Sequence, residues 1–155
     1  MDMAAALRDF EQASADFQVP SRRQEAEKVL MSYRSLPSFL SLGRYILDHS
    51  NDAMVQFHAA STLSEVVVRE SSQYSVEEVS GLRDYLVLFM AQRAALLRPF
   101  VRDQLLLSVA LIVKMQWATM GPAAVEVVHK QAAELLADSD IPRKSLALAV
   151  LHSVI

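Results

Sequence analysis

The side chains best suited to chemistry near neutral pH in this 155-residue chain are its four histidines, His49, His58, His129 and His152. They fall on four different predicted helices. None pairs with another histidine at i, i+4, and no H-E-x-x-H run occurs, so the spacing that sets two imidazoles on one metal ion is missing. Asp48-His49-Ser50 contains the residue types of a hydrolytic triad. Neighbours at a helix end point in different directions, however, and triads are assembled from separated segments, so the tripeptide reads as a helix terminus. The sequence holds no G-x-x-x-x-G-K phosphate loop, no G-x-G-x-x-G and no G-x-S-x-G elbow. Zero cysteines exclude disulfides, thiolate zinc sites and a cysteine nucleophile. The expectation is a chain that is no enzyme, carries no cofactor or metal, and acts by binding proteins.

The remaining candidates form a row. His58, Thr62, Glu65 and Arg69 recur at i, i+4, i+7 and i+11 of one predicted helix, opposite much of its Val/Leu face. A plain solvated face gives the same pattern. If the helix lines the concave side of a helical repeat array, the row becomes a line of partner contacts.

The helices that must carry these residues are legible from apolar periodicity and punctuation. Ser21-Arg22-Arg23-Gln24 has the pattern of a capping box, and Ala26, Val29, Leu30 and Tyr33 behind it predict a helix over about 21–34. Ser35 and Pro37 start a second, with Leu36, Phe39, Leu40, Gly43, Ile46 and Leu47 on one face. A third runs over about 52–70, with Val55, Ala59, Ala60, Leu63, Val66 and Val67 inward. Ser75-Val76-Glu77-Glu78 is another capping box, opening a helix whose buried stripe is Val79, Leu82, Leu86, Phe89 and Met90. Pro99 opens the next, expected to end at Met115 with Trp117 just beyond, and its run Leu105 to Val113 reads as buried. Phe100 reads as core with Met54 and Phe57. Gly121-Pro122 and Asp140-Ile141-Pro142 introduce the last two helices, and a short one over Leu7 to Phe17 precedes them all.

Short links between these helices predict antiparallel neighbours. The expected architecture is all-α: a right-handed α-α superhelix of about four antiparallel pairs, approximately 3–34, 36–70, 75–115 and 121–155, forming one repeat segment over 1–155. Starts of the second helices near Asp52, Arg98 and Pro142 repeat with the ~40–47-residue period of HEAT and armadillo proteins. The chain stops inside an apolar helical pattern at Leu151-His152-Ser153-Val154-Ile155, so the expectation is a truncated piece of a longer solenoid.

Composition limits the partners. A net charge of −3 argues against a nucleic-acid surface, and Arg22-Arg23 and Arg143-Lys144 are short clusters of the solvated kind. No apolar run approaches the ~18 residues that span a bilayer, so no membrane insertion is expected. The amino terminus lacks the basic and apolar regions of a secretory signal, which favours an intracellular protein.

Two blocks carry a resemblance. Arg44-Tyr45-Ile46-Leu47, then Val55 through Glu70 (VQFHAASTLSEVVVRE), with Arg23 through Leu30 upstream, resembles the amino-terminal repeats of importin-β-type nuclear transport receptors, the karyopherins. Val101 through Lys114 (VRDQLLLSVALIVK) with Trp117 is most similar to the exportin four branch and its neighbour exportin seven. One departure is Ser71 after Arg69-Glu70, where that branch tends to place an aromatic. The resemblance implies an exportin segment that binds the small GTPase Ran in its GTP form. It also implies protein cargo of unknown identity, nucleoporin contacts in the full receptor, and shuttling between nucleus and cytoplasm. Carried over by position, the Ran-facing residues would be His58, Thr62, Glu65 and Arg69, with Arg102 as a further one. A HEAT or armadillo scaffold that binds proteins without regard to a GTPase is the alternative.

Overall fold

A computed structural model describes residues 1–154. Among them are eight α-helices and no strand: α1 (Met3–Phe17), α2 (Arg23–Ser32), α3 (Phe39–His49), α4 (Ala53–Arg69), α5 (Val76–Gln92), α6 (Pro99–Met120), α7 (Ala123–Leu136) and α8 (Ile141–Val154). Short 3-10 turns at Tyr33–Ser35 and Ser71–Gln73 precede α3 and α5. Consecutive helices pack as HEAT-like pairs, α1 on α2, α3 on α4, α5 on α6 and α7 on α8. The chain forms two compact units, residues 1–69 and the remainder from Glu70 onward.

Helix starts follow side-chain acceptors where one is available. Asp2 caps α1 by accepting from the Ala5 amide at 3.1 Å, which starts that helix earlier than Leu7. Asp52 caps α4 by accepting from the amides of Met54 and Val55 at 2.9 and 3.1 Å. At α5 the expected capping box is complete: Glu78 N–H donates to Ser75 Oγ at 3.1 Å and Ser75 N–H to the Glu78 carboxylate at 2.8 Å. The box expected at Ser21 does not form. There α2 begins at Arg23 without a side-chain cap, because Arg22 and Arg23 reach back to the end of α1 instead. Arg22 pairs with Asp16 at 3.3 Å, and Arg23 donates to the Phe17 carbonyl at 3.0 Å while lying over its ring.

In the first unit, Phe10 and Phe39 are fully buried and gather with Tyr33, whose ring meets Phe10 edge-on at 5.3 Å. The Tyr33 hydroxyl donates to the Asp9 carboxylate. Burial first, and that carboxylate second, push the phenol well above its ordinary range. The predicted inward residues of α4 are all buried, and Leu63 has no exposed surface. Leu63 lies against Gly43 of α3 so closely that a Cβ on Gly43 would stand 2.6 Å from Leu63 Cδ2 and 2.8 Å from its Cγ.

The second unit has a buried polar link. Arg83 of α5, only 4% exposed, donates to Gln116 Oε1 of α6 at 2.8 Å and to the Asp84 carboxylate at 3.0 Å. Gln116 donates in turn to Ser80 Oγ at 2.8 Å, and Gln131 of α7 donates to Asp84 at 2.8 Å. Three helices share one hydrogen-bonded chain, which leaves the buried guanidinium supplied with acceptors. Between α6 and α7, Gly121 takes φ +60° and ψ −140° with open space at its Cβ position, so the need for glycine there is conformational.

Three expectations for α6 are corrected. The helix continues through Trp117 to Met120, and Trp117 is exposed on it rather than beyond it. Leu107, within the run read as buried, is exposed, because a nine-residue run that is apolar except at Ser108 covers every face of a helix and only one face packs. Phe100 is exposed as well.

Replacing Gly43 with Ala should destabilise the first unit by about 1–3 kcal/mol, the usual cost of overpacking, despite alanine's better helix propensity. Leu63→Ala should cost about 2–5 kcal/mol. In urea denaturation the double variant should lose clearly less than the sum of the two, since removing Leu63 vacates the space that the new methyl needs. Additive losses would mean that the two residues do not share this contact.

Candidate partner-binding surface

The row expected on α4 divides once the helix is packed. Thr62 is buried, 3% exposed, and its hydroxyl donates to the His58 carbonyl at 2.8 Å. His58 is half-buried, with its ring edge-on to Phe17 of α1 at 5.1 Å and to Phe57 at 5.7 Å. Its Nε2 is buried without a hydrogen-bond partner. Neither residue belongs to an open contact row. The row does not stay open along its whole length because α1 covers its amino-terminal part, a contact between distant segments that α4's own periodicity cannot reveal.

Glu65 and Arg69, one turn and two turns further along, remain at the surface. They converge on a residue that periodicity did not single out. Arg34, in the 3-10 turn after α2, gives its Nη1 to the Glu65 carboxylate at 3.0 Å, and Arg69 gives Nη2 to the Arg34 carbonyl at 2.9 Å. The Arg34 and Glu65 side chains are 32% and 41% exposed, so the pair is partly screened and holds geometry more than it adds stability. Arg69 gives one of its guanidinium N–H groups to this contact, and a planar guanidinium has five donors. The edge therefore presents two cations about one carboxylate and suits an acidic partner group, held by the fork geometry of arginine.

Arg102 lies in the other unit, in the first turn of α6, paired with Asp103 at 3.2 Å. It lines a small cavity with Leu97, Pro142 and Ser145. His49, from the triad-like tripeptide, stacks on Tyr45 at 4.0 Å and its Nδ1 lies 2.8 Å from the Tyr45 carbonyl, which makes it part of a helix end.

Residues 26–92 match the model of the Importin-beta N-terminal domain. The matched stretch begins within α2 and closes on the last residue of α5. Exportin-7-B of Xenopus laevis is 30% identical over 97 residues, which cover 63% of this chain and 9% of that protein. Ran-binding protein 17 of Homo sapiens is 33% identical over 97 residues with the same shares. The chain thus aligns with under a tenth of the length of these curated relatives.

Protonation of His58 is disfavoured in the folded chain, first by burial and second by the Arg34 guanidinium, with Asp52 opposing. Its native pKa lies below the ordinary value of about 6.5, so below that pH the unfolded chain binds the proton more readily. The stability that neutral His58 contributes is complete above pH ~6.5 and is lost as pH falls from there through the lowered native value. Urea midpoints measured at successive pH values should fall more steeply in that window for the parent than for His58→Gln. Parallel curves would remove His58 as the cause.

Proposed function

We propose that this chain is the amino-terminal part of a karyopherin-type nuclear transport receptor, and that it contacts GTP-loaded Ran through the exposed edge of α4. The observation that carries this reading is the match over 26–92, because that stretch contains both Arg34 and α4, the elements that build the Arg34–Glu65–Arg69 edge. A relative that is named for Ran binding aligns with the chain, which supports the same partner. Export is the direction implied by the exportin-7 relatives. Those relatives favour the exportin seven side of the pair of branches, and the exportin four likeness rests on the 101–114 block alone.

In mechanism, the α4 edge would offer Arg69 and the outer face of Arg34 to carboxylates of the GTPase, with Glu65 fixing the Arg34 side chain. Thr62 and His58 would act from inside, by holding α4 in place. Cargo, nucleoporins and movement between nucleus and cytoplasm belong to the receptor as a whole. Tight coupling of Ran and cargo would need both sites on one chain, with coupling of ~1–3 kcal/mol giving ~5–150-fold mutual enhancement.

The test is binding of the chain to Ran loaded with a non-hydrolysable GTP analogue or with GDP. The GTP-state protein should bind preferentially. Combined charge reversal, Glu65→Lys with Arg69→Glu, should weaken that binding by about tenfold or more while circular dichroism stays unchanged, as expected for losing desolvated charge contacts. This double change keeps a carboxylate near Arg34. Equal binding of both nucleotide states would leave a helical scaffold without GTPase dependence, and unchanged affinity of the variant would leave the edge an ordinary solvated surface.

A further inference from the structure

The solvent side of α6 has a pattern of its own, opposite the buried residues Val101, Leu105, Val109 and Ile112. Phe100, Leu107 and Trp117 are 43%, 50% and 51% exposed, and Asp103 and Lys114 lie exposed between them. With the half-buried Ala110 they form one stripe, Phe100, Asp103, Leu107, Ala110, Lys114 and Trp117, whose members stand alternately three and four residues apart. That is the heptad spacing of the seam in a two-helix coiled coil, about 26 Å long at a rise of 1.5 Å per residue. Three large apolar side chains on one such line form a patch, whereas single exposed ones are ordinary.

By chemical type the stripe reads the same from either end. An aromatic ring closes each end, a charge stands next inside each ring, the two charges have opposite sign, and aliphatic side chains fill the centre. When two antiparallel helices are related by a two-fold axis, each residue meets one lying equally far on the other side of the midpoint. About the midpoint between Leu107 and Ala110, Phe100 meets the partner's Trp117, Asp103 meets the partner's Lys114, and Leu107 meets the partner's Ala110, each contact occurring twice. Both charged layers are then attractive, and the large leucine stands against the small alanine. A parallel pair would set aspartate on aspartate and lysine on lysine instead. Lys114 enters no ion pair among the described residues. Asp103 accepts from Arg102 through Oδ1 alone, and a carboxylate accepts at both oxygens.

We propose that the exposed face of α6 seats a second copy of this chain, its α6 antiparallel across a two-fold axis, with Asp103 of each copy against the partner's Lys114. One helix face on each copy is smaller than the ~800 Å² a side of a standard interface, so the dimer is a weak one. The face is separate from the α4 edge and does not rest on Ran binding.

The experiment is sedimentation equilibrium of the whole chain over a range of concentrations. The parent should pass from monomer to dimer with a midpoint on the order of 100 μM, as suits an interface of that size. Asp103→Lys alone and Lys114→Glu alone each put like charges in both charged layers and should weaken the dimer about tenfold or more. An equimolar mixture of the two variants should associate again, because every charged layer of the mixed dimer is of opposite sign. Leu107→Glu should leave a monomer with unchanged circular dichroism, since the position is at the surface. A parent that stays monomeric throughout, association indifferent to these changes, or a mixture that fails to recover would each overturn the proposal. A monomeric parent whose Leu107→Glu variant instead loses affinity for GTP-loaded Ran would assign the face to the GTPase, and would overturn it as well.

Discussion

The closeness of Leu63 to Gly43 determines how α4 can be rotated about its own axis. With no Cβ on Gly43, the Leu63 side chain comes nearer to α3 than any other residue type there would allow. Once Leu63 is fixed inward, the helical period of 3.6 residues sets its neighbours: Ala59, Ala60, Val66 and Val67 are buried with it, while Glu65 and Arg69 come out beside the 3-10 turn. The charged edge is therefore a consequence of core packing. Arg34 reads the same rotation, since its guanidinium and its carbonyl meet α4 at residues one turn apart.

The second unit fixes its helices by a different device. Arg83 is too long and too polar to be buried without acceptors, and Gln116 and Asp84 supply them from α6 and from the next residue of α5. Hydrogen bonds are directional where apolar contacts are not, so the chain from Ser80 through Gln116, Arg83 and Asp84 to Gln131 specifies the register of α5, α6 and α7.

Much of this fold was legible in the sequence because it depends on local rules. The inward stripes of α4 and α5 follow from one-helix periodicity, and Ser75 with Glu78 announces the start of α5 within four residues. The failures have a common cause. Ser21 had the right neighbours for a cap, yet Arg22 and Arg23 found partners on α1, and a contact with a preceding helix overrode the local one. The apolar pattern weakens near Trp117 and so predicts too early an end for α6, whereas Gly121, whose backbone no other residue adopts readily, ends the helix.

The candidate site was half legible for the same reason. Periodicity sets His58, Thr62, Glu65 and Arg69 in one row on α4, but a helix wheel shows only what could face outward and says nothing about what covers it, and Thr62 is buried. Phe17 lies against His58, and only the tertiary fold brings it there. Arg34 is the converse case: it sits in a 3-10 turn with no periodic signature, 31 residues before its partner Glu65 in the numbering, and joins the edge solely through packing of the turn on α4. An interaction surface made of side chains from separate segments has no pattern in any one of them. Recognition residues on helical repeats are therefore harder to read than the cores that hold them, since the cores repeat along one helix and the surfaces are composed across several.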